Sequence, residues 1–111
     1  MAARITLNHR GARRSLATTL ELTLDPRRAA RRGLVWPRVP RANREAIAEP
    51  VQQIAGLLRD SAVAIPDSAL ARIRALATHP ASPAYDRSPT RARFIAQSLA
   101  DELQAAATNG R

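Results

Sequence analysis

The chain has no cysteine and no lysine, only three aromatic residues among 111, and four glycines. Each shortage excludes something. Without cysteine there is no disulfide framework, no Cys-based zinc site, no iron–sulfur cluster and no thiol nucleophile. Trp36, Tyr85 and Phe94 are too few to build a stacking platform for single-stranded nucleic acid. The spacing of Trp36 beside Pro37 and Val39 reads as a core anchor. Gly11, Gly33, Gly56 and Gly110 are scattered and form no phosphate-cradling loop. No apolar run approaches the length that spans a bilayer, so no membrane partner is expected and a cytoplasmic location is.

Catalytic and metal-binding constellations are missing as well. His9 and His79 stand alone, without ligand-spaced partners, so no metal or other cofactor is expected. Asp101-Glu102 and Glu45/Glu49 are paired carboxylates that a solvated helix face explains. The serines assemble no triad with either histidine. A non-enzymatic protein is the expectation.

Large aliphatics are scarce too. Leu, Ile, Val and Phe number 23, while alanine numbers 24. Alanine favours helices but buries little area. The composition therefore predicts thin helical packing that gains from a partner surface, a homodimer being the simplest.

What the chain does have is arginine, and it is unevenly placed. Residues 1–44 hold 11 Arg against Glu21 and Asp25, a net +9. Residues 45–111 hold 7 Arg and 7 acids, a net of zero. Such asymmetry points to nucleic acid or an acidic protein surface as the partner. The choice of arginine over lysine carries less information. The balanced half also lacks lysine, so a GC-rich bacterial, phage or plasmid gene explains the residue type. The number and clustering of the charges remain as the functional signal.

Periodicity divides the chain at the same place. Residues 4–8, "RITLN", alternate as a short strand. In "LATTLELTL", residues 16–24, Leu16, Leu20 and Leu24 fit a helical stripe, while Leu20, Leu22 and Leu24 fit strand alternation. Three threonines favour the strand. The expected fold is mainly α with a small N-terminal β-ribbon (α+β), in which residues 1–44 form a basic segment and residues 45–111 a three-helix bundle. Asp25-Pro26 opens a short helix that Gly33 stops. Ile47, Val51, Ile54 and Leu58 mark one helix over 43–60, which Pro50 either kinks or begins. Leu70, Ile73, Leu76 and Ala77 mark a second over 66–78. Ile95, Leu99 and Leu103, after a Ser88 cap, mark the third, ending at Asn109-Gly110.

On this reading the chain is a small basic nucleic-acid-binding protein with a regulatory role, for double-stranded DNA more than RNA. Arg10, Arg13, Arg14, Arg27, Arg28, Arg31 and Arg32 would grip phosphates. The ribbon would present Arg4, Thr6 and Asn8 to a major groove. The competing expectation is a non-enzymatic interaction module or inhibitor that covers an acidic or nucleic-acid-binding surface of a larger protein.

Overall fold

Residues 16–24 carry the information for two different elements, and tertiary packing selects the helix. The computed structural model of the protein describes residues 9–33, 39–78 and 82–109. In chain order these form α1 (Arg10–Leu22), α2 (Pro26–Arg31), α3 (Arg41–Arg59), α4 (Asp67–Thr78), a 3-10 turn (Pro83–Tyr85) and α5 (Pro89–Asn109). No strand occurs among the described residues.

The expected β-ribbon is therefore corrected. Its second strand, 16–24, lies mostly within α1, and residues 4–8 lie outside the described residues. The physical reason is visible in what α1 buries. Leu16, Ala17 and Leu20 form its inner face and belong to one hydrophobic cluster with Ile47, Val51, Ile54, Leu70 and Ile73. A strand with Leu20, Leu22 and Leu24 inward would have turned Ala17 to solvent. The threonines do not resist the helix, because their hydroxyls bond back along it. Thr19 Oγ1 donates to Ser15 O at 2.9 Å and Thr23 Oγ1 to Leu20 O at 2.6 Å. The propensity deficit of threonine amounts to less than about 1 kcal/mol per residue. Burying one leucine outweighs it.

α2 follows its local chemistry. Asp25 Oδ1 accepts from Arg28 N at 3.1 Å, Pro26 occupies the first helical position, and Gly33 leaves the helix with φ of 76°. Three cations in so short a helix, with Arg32 just after it, repel one another, but all four project into water. Arg28 and Arg31 in its last turn also meet the negative end of the helix dipole. Ala29 is its single buried residue.

α3 is the central element, packed by α1 and by α5. It runs unbroken through Pro50, which is buried. Pro50 has no N–H to offer the carbonyl of Ala46, and packing of Ile47, Val51, Ile54 and Leu58 holds the helix across that gap. At its start, the buried Asn43 Nδ2 donates to Ala84 O at 2.7 Å and Asp86 O at 2.8 Å, fastening α3 to the 3-10 turn. Ser82 Oγ ties the same turn to Leu76 O at 2.9 Å.

α4 buries Leu70, Ile73, Leu76 and Ala77 as its spacing predicts. α5 is capped by Ser88, whose Oγ accepts from Arg91 N at 3.2 Å. Its buried face is richer in alanine than the expected stripe. Ala92, Ala96, Ala100 and Ala107 lie inward with Leu99 and Leu103, while Ile95 is half-buried. Small side chains there let α5 lie close against α3. Phe94 is left 70% exposed. No helix among the described residues is long and apolar enough to cross a membrane.

Candidate nucleic-acid interface

Of the seven described arginines expected to grip phosphate, one is spent on the fold. Arg13 sits in register with Leu16, Ala17 and Leu20 on the inner face of α1, and only 6% of it is exposed. Its guanidinium reaches the end of α3 and the loop beyond. Nε donates to Leu58 O at 3.0 Å, Nη1 to Val63 O at 2.8 Å, and Nη2 to Leu57 O at 2.9 Å and Asp60 O at 3.0 Å. These include carbonyls that a helix leaves without partners at its C-terminus. A cation there also opposes the negative end of the helix dipole. Burial lowers the pKa of Arg13 and the field of Asp60 opposes that shift. The group stays charged at any ordinary pH. The register with the apolar stripe was the one sequence signal that set Arg13 apart from Arg14.

The other six, Arg10, Arg14, Arg27, Arg28, Arg31 and Arg32, are exposed. None of them forms an ion pair with a carboxylate of the described residues. Several arginines beyond α2 do pair with carboxylates. Arg41 pairs with Glu45 and Arg91 with Asp86, while Arg93 reaches Glu49 and Arg72 holds Glu102 through both carboxylate oxygens. Asp101 accepts from Gln97 Nε2 at 3.0 Å. The carboxylates that sequence spacing paired are thus each engaged by a cation or an amide.

The acid of α1 is neutralised from outside its own segment. Arg59, at the end of α3, donates from Nη1 and Nη2 to the two oxygens of Glu21, both at 2.7 Å. Hydrogen bonding to Arg59 holds the Glu21 carboxyl below its ordinary pKa against the effect of burial, and the charges of Arg59 and Arg28 add to the lowering. A depressed carboxylate pKa stabilises the fold above the unfolded-state value, and that contribution is lost as pH falls through the folded value. The pair is a third or more exposed, so screening keeps it small. Glu21→Gln is expected to lower stability by no more than about 1 kcal/mol at neutral pH. The gap to wild type should close in acid, in urea unfolding followed across a pH series. A gap that ignores pH would contradict the role given to this pair.

Two open clefts take in three of the exposed cations, Arg10, Arg14 and Arg32, whereas Arg27, Arg28 and Arg31 line neither. One is lined by Arg10, Arg14, Arg59 and Ser61, over Arg13 and Leu58. The second, about 450 Å³, lies between α1 and the end of α2, lined by Arg14, Ser15, Thr18, Thr19, Leu22 and Arg32. Arg14 borders both, and no carboxylate of the described residues lines either. Ser15, Thr18, Thr19 and Arg59 were not among the residues expected from sequence, because helical facing and the return of α2 place them there. Arg4, Thr6 and Asn8, expected on a ribbon, lie outside the described residues, as do Trp36 and His79. Among the described residues no three of His, Cys, Asp and Glu converge where a metal ion would sit. The chain matches no protein-family model, no curated protein and no solved structure.

Proposed function

We propose that this is a small non-enzymatic protein that binds nucleic acid, duplex DNA in preference to RNA, through the phosphate backbone. The observation that supports this reading is the set of six exposed arginines on α1 and α2 that no described carboxylate neutralises. Five arginines elsewhere on the described surface pair with carboxylates, whereas these six leave a positive field directed at solvent. A polyanion is the partner such a field attracts most strongly, since each neutralised phosphate releases counterions. No aromatic residue among the described residues lines either basic cleft, which favours backbone contacts over base stacking.

The test is a titration of labelled duplex DNA at several salt concentrations, with wild type and with Arg27, Arg28, Arg31 and Arg32 changed to Ala. The wild type should bind with an affinity that falls steeply with salt. The fourfold variant should lose about 3.6 from the slope of log K against log salt, near 0.9 per phosphate contact. If wild type shows no binding even at low salt, the reading fails, and an acidic protein surface becomes the partner to seek.

A further inference from the structure

We propose that the groove between α1 and α2 is a dedicated site for one phosphate group, a backbone phosphodiester if the nucleic-acid reading above, on which this rests, is right. The groove holds two kinds of donor. Arg14 from α1 and Arg32 from the end of α2 bring guanidinium groups from two different elements to one cavity of about 450 Å³. Planar guanidinium forks bond phosphate oxygens two at a time. Between them stand Ser15, Thr18 and Thr19, at the i, i+3 and i+4 positions that share one helix face.

The hydroxyls are not equivalent. Thr19 already donates to Ser15 O at 2.9 Å. Thr18 Oγ1 accepts from Arg59 Nη2 at 3.3 Å, so its own proton is left to donate. Ser15 is exposed. The groove thus offers Thr18 and Ser15 as hydroxyl donors beside two cations. Glu21, one helical turn beyond Thr18 and the nearest acid in sequence, is held in both oxygens by Arg59. Arg59 therefore acts twice, withdrawing a carboxylate that would repel an anion and orienting Thr18 to donate. A tetrahedral oxyanion with several acceptor oxygens fits this donor set.

Two titrations test the site. The first adds inorganic phosphate to the full chain, followed by amide chemical shifts, with chloride at equal ionic strength as control. Saturable shifts centred on Ser15, Thr18 and Thr19 are expected, and they should vanish in Arg14→Gln/Arg32→Gln. Shifts spread evenly over the basic helices, or reproduced by chloride, would overturn the site. The second repeats the duplex salt series. The double variant should lose about 2 from the slope. Thr18→Val should weaken binding about tenfold and leave the slope unchanged, since it removes a hydrogen bond and no charge. Duplex binding with an unaltered slope in the double variant rejects the groove and keeps the nucleic-acid reading. Localised phosphate shifts without duplex binding keep the groove, for a small phosphate compound, and reject the nucleic-acid reading.

Discussion

Arg13→Met is expected to melt more than about 10 °C below wild type, the largest loss for any single arginine of the chain. Methionine keeps much of the aliphatic volume, so the cavity is small. What disappears is four donated hydrogen bonds to the carbonyls of Leu57, Leu58, Asp60 and Val63. Leaving a buried polar group without its partner costs about 1–3 kcal/mol. Leu57 O and Asp60 O keep backbone partners in Asp60 N and Val63 N, so the loss falls mainly on Leu58 O and Val63 O, about 3 kcal/mol in total. For a domain of this size that corresponds to a Tm shift of roughly 12 °C or more. Arg13→Lys should recover only part of it, because an ammonium cannot reproduce the guanidinium fork. Arg14→Met, one position along and exposed, should change the melting point little. Melting followed by circular dichroism decides the matter. Equal behaviour of the Arg13 and Arg14 variants would mean that the end of α3 needs no such clasp.

The second large effect concerns Ala17, which is fully buried. Glutamate is a good helix former, so Ala17→Glu leaves the local preference of α1 almost untouched. The cost comes from forcing a carboxylate between α1 and its neighbours, where the one cation in register, Arg13, already donates to four carbonyls. An uncompensated buried charge costs about 3–5 kcal/mol. Against a typical stability of about 5–15 kcal/mol that is a large share of the whole, so the unfolding midpoint should fall far below wild type. The same substitution on the polar face of a strand would be nearly silent. Urea unfolding of this variant therefore tests α1 itself. A midpoint within experimental error of wild type would contradict the helix and restore the ribbon.

These two residues also show where the sequence was legible and where it was not. α3, α4 and the start of α5 could be read because Ile47, Val51, Ile54, Leu58, Leu70 and Ile73 are large and periodic. α2 could be read because Asp25, Pro26 and Gly33 act through chemistry confined to one turn. α1 could not, because its leucines satisfy both periods. The tie was broken on threonine propensity, a term smaller than the burial of one side chain. The decisive contributions came from Ala17, buried against distant elements, and from Arg13, whose partners lie 44 residues or more away in sequence. The inner face of α5 was read only in part for a related reason, Leu99 and Leu103 being buried as expected. Its seam is built largely from alanine, which a reading weighted toward bulky residues overlooks. The candidate interface was legible as charge and illegible as shape. Composition located the cations, but only the fold removes Arg13 from them, adds Arg59 and brings Arg14 beside Arg32.

The two helices that bear the exposed cations are secured very unequally. α1 is clamped by a buried guanidinium and three inner side chains, whereas α2 rests on the methyl group of Ala29. A groove with one fixed jaw and one compliant jaw can tighten on anions whose spacing varies. Such a grip follows the outline of a backbone and is indifferent to the order of the bases it carries. Mixed-sequence and repetitive duplexes of equal length should therefore compete on equal terms.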